Sequence, residues 1–181
     1  MAKRKSLDLI VLLMISVFVI SASAAVYYSL GMTSTITTAA NDVYFVKGPD
    51  NQTAGVTLFN DNKSATLASL KAYPNMTMTY DDPIRVRNNH TTSSYNVRLR
   101  PVSRTGNAQY FVFINFTLNT TTPVSLNYTS NGVGWTDPQE TVFVQVSANT
   151  EYALCVQTMA NVTAPSGQPA TIEIAIDVED Q

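Results

Sequence analysis

Hydrophobic and polar residues alternate along most of the chain after about residue 25. In the final stretch, for example, Ile172, Ile174, Ile176 and Val178 occupy every second position. A period of two is typical of a β-strand with one face buried, because successive side chains point to opposite faces. No comparable stretch repeats its apolar residues with the period of a helix. The pattern therefore predicts an all-β protein.

Gly, Pro, Asn and Asp residues separate the alternating stretches, as turns between strands require. Residues 66–72 also fit a short helix, and residues 110–116 are apolar enough to predict a central strand buried on both faces. A turn at residues 81–83 is predicted to separate two of the strands. About ten strands without helices predict an antiparallel β-sandwich of jelly-roll or immunoglobulin-like type. The predicted strands cover residues 42–46, 55–59, 66–72, 76–80, 84–87, 95–102, 109–118, 124–129, 141–147, 152–158 and 171–179.

The first residues have the pattern of a secretory signal peptide. Three basic residues at positions 3–5 precede an apolar run over residues 9–20 and the small residues Ala22, Ser23 and Ala24. This order predicts a signal peptide over residues 1–24, cleaved between Ala24 and Ala25, and an extracellular or cell-surface protein without a stable membrane anchor. The alternative is an uncleaved anchor from Leu9 to about Leu30, since no charged residue lies in that stretch.

Residues 25–38 form the segment that such a cleavage would expose, and they alternate like a half-buried strand. We assign residues 25–40 to a donor strand and residues 41–181 to the β-sandwich domain. Burial of the apolar face does not by itself outweigh the entropy of ordering the segment, so ladder hydrogen bonds on both edges are needed. A groove between two strands of another copy supplies both, and such a contact repeats into a filament. The predicted donor face consists of Val26, Tyr28, Leu30, Met32 and Ile36.

Composition narrows the classes of partner. The chain has 181 residues, 13% of them charged, and a net charge of −2. Removal of residues 1–24 takes away three positive charges and one negative charge, which leaves a mildly acidic domain without a basic block. Nucleic acids and anionic membrane surfaces are therefore not expected as partners. Cys155 is the only cysteine, so no intramolecular disulfide forms, and we expect it to be a small buried core residue.

Eight Asn-x-Ser/Thr sequons predict a surface that carries covalent N-glycans. The alternative is a strand composition rich in Asn and Thr, with no sugar attached. Asn115 is the weakest acceptor because it lies within the apolar run. The sequons begin at Asn51, Asn62, Asn75, Asn89, Asn115, Asn119, Asn127 and Asn161.

No catalytic or metal-binding pattern is recognisable in the sequence. His90 is the only histidine and lies in a polar stretch, which favours a solvated loop. Cys/His metal motifs and a glycine-rich phosphate loop are absent, and Asp61, Asp81 and Asp82 lack the spacing of an EF-hand. We therefore predict a protein that is not an enzyme and uses no metal or cofactor.

The start of the predicted mature chain resembles a known family. Ala24-Ala25-Val26-Tyr27-Tyr28-Ser29, the Thr/Ser-rich stretch after it and the strand at residues 42–46 are similar to the start of TasA/camelysin-type biofilm fibre proteins. The similarity is greatest to their archaeal relatives, the bundling pilins and extracellular thread subunits. It covers residues 20–46, and the chain lacks the bacterial pattern of a Gly-rich segment before Tyr and Phe-Ser-Asp after it. The resemblance implies Sec-type secretion, a jelly-roll sandwich and polymerisation by donor-strand exchange.

These observations predict a structural subunit of an extracellular filament, a homopolymer with a role in biofilms or adhesion. One alternative is a type IV pilin-like subunit, cut before Leu7, that keeps a hydrophobic helix to about residue 30. Another is a monomeric secreted β-sandwich that binds carbohydrate or belongs to the cell envelope, with Trp135 in a sugar platform. For Trp135 we prefer a loop residue packed against the core.

Overall fold

The computed structural model describes residues 30–32, 42–165, 167 and 169–180. Apart from a four-residue helix, α1 (Asn51–Ala54), and a 3-10 turn at Ala108–Tyr110, the regular structure in these ranges is β. The strands are β1 (Leu30–Met32), β2 (Val43–Lys47), β3 (Val56–Phe59), β4 (Ser64–Leu67), β5 (Met78–Asn88), β6 (Tyr95–Gly106), β7 (Phe111–Leu118), β8 (Val124–Ser130), β9 (Trp135–Thr136), β10 (Val144–Val146), β11 (Thr150–Ala160) and β12 (Ala170–Asp180).

The strands form two layers of antiparallel sheet. The first layer has six strands in the order β2-β5-β11-β7-β8-β9. The second layer consists of two three-stranded sheets, β3-β4-β1 and β12-β6-β10. Most consecutive strands lie in opposite layers, so most hydrogen-bonded neighbours are distant in sequence. The predicted all-β antiparallel sandwich is confirmed.

The hydrophobic core lies between the layers and is built from alternate residues of the strands. Ile172, Ile174, Ile176 and Val178 of β12 are all buried, as the alternation predicts. Each large buried side chain contributes about 1.5–3 kcal/mol to stability. The largest fully buried side chains are Tyr128, Phe45, Phe116, Leu67, Leu70, Ile84, Leu99, Ile114, Leu118, Leu126, Leu154 and Ile172.

The prediction that residues 110–116 form a strand buried on both faces is wrong for β7. It is central, between β11 and β8, but Val112 on its outer face is 40% exposed. The apolar run arises partly from a register shift opposite Met159 and Ala160, which puts both Phe111 and Ile114 on the buried face although they are three residues apart. Strand β7 is therefore half-buried, with one bulge.

The predicted turn at residues 81–83 is wrong, because these residues lie within strand β5. The strand is continuous, and its register against β11 jumps from Leu154–Ile84 to Val156–Tyr80. Residues 81–83 thus form a bulge, which suits Pro83 because proline has no N–H for the ladder. The loop before α1 packs on this bulge, where Gly48 N–H donates to the Pro83 carbonyl at 3.1 Å.

Other differences lie at strand ends. Strand β4 ends at Leu67 rather than at residue 72, and β10 begins only at Val144, which leaves Val142 72% exposed. The two-residue strand β9 was not predicted. Alternation of apolar residues does not show where a strand ends, because the end of its hydrogen-bonded ladder depends on the neighbouring strand.

An ionic cluster lies at the pairing of β6 with β12. The carboxylate of Asp177 accepts hydrogen bonds from Arg98 Nε at 3.0 Å and from Arg100 Nε at 2.9 Å. Arg98 also donates to Glu140 at 2.7 Å, and its guanidinium carbon lies 4.7 Å from the centre of the Phe143 ring. The cluster joins the middle strand β6 and the edge strand β12 of this sheet to the segment before β10.

Candidate functional site

The second layer is divided between β4 and β12. Strand β4 is the middle strand of its sheet, paired with β3 on one edge, and β12 is an edge strand that, among the described residues, is hydrogen-bonded only to β6. Among the described residues only β1 lies between them. It forms a ladder with β4, and its Cα atoms approach those of β12 within 8 Å without a ladder to that strand. We call this place the β4–β12 groove.

The register of β1 agrees with the predicted donor face. Leu30 is paired with Leu67 and Met32 with Ala65, while Gly31 is paired with Thr66. Leu67 and Ala65 are fully buried core residues, and Thr66 is half-buried. A shift of one residue would place Gly31 opposite a core position. The phase of the ladder therefore matches the alternation in the sequence.

Only part of the predicted donor segment can be placed. Leu30 and Met32 belong to β1, whereas Val26, Tyr28 and Ile36 lie outside the described residues. The proposed cleavage residues Ala24 and Ala25 and the whole signal segment also lie outside them.

The acceptor side of the groove was not predicted from the sequence. Strands β4 and β12 are far apart along the chain, and the alternation of each shows its buried face but not its free edge. The sequence signal nearest to it is the difference in length between the two strands, 11 residues in β12 and 4 in β4. The strands that border the groove contain the buried residues Ala65 and Leu67 of β4 and Ile172, Ile174, Ile176 and Val178 of β12.

Five of the eight predicted glycosylation residues are exposed. They lie in turns, at strand ends or on the outer face of β8, and the structure shows no hydrogen bond from their side-chain amides to other described residues. Attachment of an oligosaccharide to these amide nitrogens would therefore break no hydrogen bond that the structure shows. These residues are Asn62, Asn75, Asn89, Asn119 and Asn127.

The other three sequon residues are half-buried, and each uses its amide nitrogen in a hydrogen bond. Asn51 Nδ2 donates to the Gly48 carbonyl at 2.6 Å, and Asn161 Nδ2 donates to the Gln109 carbonyl at 3.2 Å. Asn115 Nδ2 donates to Thr117 Oγ1 at 3.2 Å, and Asn115 is paired with Asn127 across the ladder. A glycan on these nitrogens would break or crowd those contacts.

Cys155 and Trp135 both lie in environments that indicate a role in packing. Cys155 is buried, as expected. It does not belong to the main core cluster, which includes its neighbours Leu154 and Val156. Burial raises the pKa of the Cys155 thiol, and the charges of Asp81 and Asp50 raise it further. Trp135 packs against the core and stacks on Phe111 with 5.5 Å between ring centres, although it lies in β9 rather than in a loop.

His90 organises the turn between β5 and β6. Its Nδ1 accepts backbone N–H groups from Ser93 at 2.8 Å and from Thr92 at 3.2 Å. Its own N–H donates to the side chain of Asn88 at 2.9 Å, and Asn88 is fully buried. His90 is thus half-buried and bound into the turn, rather than freely solvated.

The acidic residues considered as cation ligands do not come together. Asp61 is in the turn between β3 and β4, while Asp82 is bound by Arg85, with Nε 2.9 Å from its carboxylate. Within the described ranges, no three His, Cys, Asp or Glu side chains are grouped as metal ligands require. The same part of the chain contains no helix with the length and hydrophobicity of a membrane span.

The sequence was compared with models of protein families and with curated proteins. No family model matches it, and it has no significant match among the curated proteins.

Proposed function

We propose that this protein is a secreted structural subunit of an extracellular filament. In this proposal, cleavage after Ala24 releases residues 25–38 as a donor strand, which enters the β4–β12 groove of the next copy. The β4–β12 groove is the observation that carries the proposal. A layer divided between two strand edges needs one more strand, and the segment that lies there comes from the N-terminal end of the chain.

An open groove is unfavourable for two physical reasons. The edges of β4 and β12 would present unpaired backbone N–H and C=O groups, which promote association with any free strand. Core residues such as Leu67 and Ile174, now fully buried, would border a slot open to water. A strand of alternating apolar residues meets both requirements at once.

The connection between β1 and the domain is long enough for exchange between copies. Ten residues separate Met32 from Val43, the first residue of β2. Fully extended, ten residues reach about 33–36 Å. The same strand can therefore occupy the groove of its own domain in a monomer and that of a neighbour in a filament. Each copy then offers one strand and one groove, a head-to-tail contact that repeats without limit unless it closes into a ring.

A disulfide trap tests exchange directly. Gly31 and Thr66 are ladder partners, and opposed residues in an antiparallel pair have Cα atoms about 4.5–5.5 Å apart, within the range of a disulfide. In a Cys155→Ala background, Gly31→Cys and Thr66→Cys are made separately and mixed during assembly. Exchange should give disulfide-linked dimers in the mixture. A control mixture of Gly31→Cys with Thr57→Cys, on the neighbouring strand β3, should not.

The opposite result would contradict the proposal. If the mixture forms no dimers while the Gly31→Cys, Thr66→Cys double variant closes within single chains, the strand docks only in its own domain. The double variant serves as the control for folding and register, because its internal bond requires the same ladder.

Deletion and complementation provide a second test. A variant without residues 25–36 should be secreted but unable to polymerise, and a synthetic peptide of residues 25–38 should bind it. The matched control peptide carries Leu30→Glu and Met32→Glu, which place charge opposite Leu67 and Ala65. Filaments of normal appearance from the deletion variant would refute the proposal.

N-terminal sequencing of the secreted protein separates this proposal from a type IV pilin-like subunit. A first residue at or near Ala25 supports a released donor strand. A first residue at Leu7 would mean that the apolar segment is kept, and would rule out the donor-strand proposal.

A further inference from the structure

Three aromatic side chains are exposed in the described part of the chain. Phe59 is 49% exposed, Tyr73 40% and Phe143 38%. The ring of Phe143 has a partner, because the guanidinium carbon of Arg98 lies 4.7 Å from its centre. Within the described ranges, neither Phe59 nor Tyr73 has an aromatic ring or a cation stacked on it.

Phe59 lies directly before the turn that contains the Asn62 sequon. It is the last residue of β3 and is paired with Ser64, the hydroxyl residue of that sequon. Paired residues face the same side of a sheet, with Cα atoms about 4.5–5.5 Å apart. That side faces away from the core, since the next residue, Ala65, is buried. The turn itself is fixed, because the Asn62 carbonyl accepts the N–H of Phe45 at 2.8 Å.

Tyr73 has the same relation to the Asn75 sequon. Met76 N–H donates to the Tyr73 carbonyl at 3.4 Å, and the two residues form an antiparallel bridge across the turn. Asn75 is the third residue of this turn and has a φ of 56°, a left-handed conformation that Asn tolerates. The Tyr73 carbonyl also accepts Ala160 N–H at 3.1 Å, which joins the turn to the end of β11.

The other three exposed sequons lack this arrangement. The residues two and three positions before Asn89, Asn119 and Asn127 include one aromatic residue, Phe116, which is only 1% exposed. In contrast, an exposed ring lies three positions before Asn62 and two positions before Asn75. Both exposed rings that lack a stacking partner therefore lie beside an accessible sequon.

We propose that the N-glycans of Asn62 and Asn75 fold back on the protein, so that the first sugar ring of each packs on the aromatic ring of its own turn. Phe59 would be the platform for the first glycan and Tyr73 for the second. The inference rests on the proposed function in one respect, since it requires that the chain is secreted and glycosylated.

The chemistry of the two groups is complementary. A pyranose ring presents a face of C–H groups, and the face of an aromatic ring carries the negative part of its quadrupole, which attracts such hydrogens. The covalent bond to Asn holds the sugar beside the ring, so the contact does not have to offset the loss of translational freedom that a free sugar would suffer. A contact too weak to bind a free monosaccharide is therefore sufficient here.

A double-mutant cycle at each turn tests the proposal. The melting temperature of the full secreted chain is measured for Asn62→Gln, Phe59→Thr and the double variant, and for Asn75→Gln with Tyr73→Thr. Loss of the glycan should lower the melting temperature by about 2–4 °C while the ring is present, the shift that a contact like an aromatic pair gives in a domain of this size. In the Thr background the same loss should give little or no shift.

Two controls separate the contact from other effects of a glycan, which also changes the unfolded chain. Asn127→Gln removes an exposed sequon without a neighbouring exposed ring, and its effect should be the same with and without Phe59. In protein from a host that attaches no N-glycans, both cycles should be additive. Occupancy of Asn62 and Asn75 is determined in every variant by glycopeptide mass spectrometry, so that proteins with equal occupancy are compared.

NMR gives a direct signature of the packing. Sugar C–H protons that lie over an aromatic ring should resonate upfield of the same protons in the released glycan, and Phe59→Thr or Tyr73→Thr should remove that shift. The proposal is overturned if Asn62 or Asn75 carries no glycan in the secreted protein, or if the cycles are additive with the glycans present. It is equally overturned if the coupling persists in unglycosylated protein.

A second copy of the chain is the other occupant to test for the exposed rings. In that case Phe59→Thr and Tyr73→Thr should reduce the dimer yield of the Gly31–Thr66 disulfide trap while both cycles remain additive, and the proposal would be overturned. Melting is measured on the monomer, so a failure to form filaments would contradict the proposed function without changing the outcome of the cycles.

Discussion

Replacement of Asp177 by asparagine should destabilise the pairing of β6 with β12. The Asp177 side chain is 11% exposed and accepts charged hydrogen bonds from two arginines of the paired strand. A hydrogen bond to a charged group contributes about 1.5–3 kcal/mol. Asparagine keeps one acceptor oxygen, and Arg98 and Arg100 are partly solvated, so we expect a loss of about 2–3 kcal/mol at neutral pH.

The loss should depend on pH in a definite direction. Burial by itself would raise the pKa of Asp177, but the hydrogen bonds and charges of Arg100 and Arg98 outweigh it, and the pKa is lowered. The folded pKa therefore lies below the unfolded value of about 3.9. Stabilisation by the carboxylate is complete above the unfolded pKa and disappears as the pH falls through the folded pKa. The difference between the two proteins should shrink in acid.

Urea unfolding followed by the fluorescence of Trp135 measures both effects, because Trp135 is the only tryptophan and is stacked on Phe111. The control is Glu179→Gln, which replaces an exposed carboxylate on the same strand and should change stability little. An Asp177→Asn loss below about 0.5 kcal/mol at neutral pH, the usual range of surface substitutions, would refute the reasoning. So would a loss that stays the same when the carboxylate is protonated.

Three further predictions follow from local geometry. Glycopeptide mass spectrometry should find glycans at some of the five exposed sequons, and a glycan at Asn51, Asn115 or Asn161 would contradict the view that their bonded amides prevent modification. Gly48→Ala should lower the urea midpoint, corresponding to about 1–3 kcal/mol, because a Cβ would lie 2.0 Å from the Asp82 carbonyl oxygen, whereas Gly134→Ala, with nothing within 4 Å, should not. Cys155 should resist iodoacetamide in the folded protein, since burial shields the thiol and raises its pKa, and should react after unfolding, so rapid native labelling would show that the site opens.

The strands were largely predictable because period two requires only that one face of a strand is buried. Strand β12 shows this most clearly, with buried Ile172, Ile174 and Ile176. The predictions for β5 and β7 were wrong because the structure there depends on how the strand packs against other parts of the fold. The bulge at residues 81–83 is defined by the register against β11, and the exposure of Val112 depends on the absence of a third layer over β7 among the described residues.

For the candidate site, too, one part was predictable from the sequence and another was not. Alternation and position in the chain predicted residues 25–38 as a strand in need of partners, and the phase of Leu30 and Met32 agrees with the ladder. The groove between β4 and β12 was not predictable, because it is formed by two edges brought together only by folding. The sequons could be identified from the sequence, but their accessibility depends on which Asn amides are buried or hydrogen-bonded in the folded protein.

The sequence by itself determined the class of structure, the buried face of most strands and the chemistry that is present, because these depend on residue type and short-range periodicity. The tertiary structure decided which strand edges remain available and which Asn side chains are accessible. These are relations between segments far apart in the chain. They arise from packing and ladder register, which no local pattern of residues encodes.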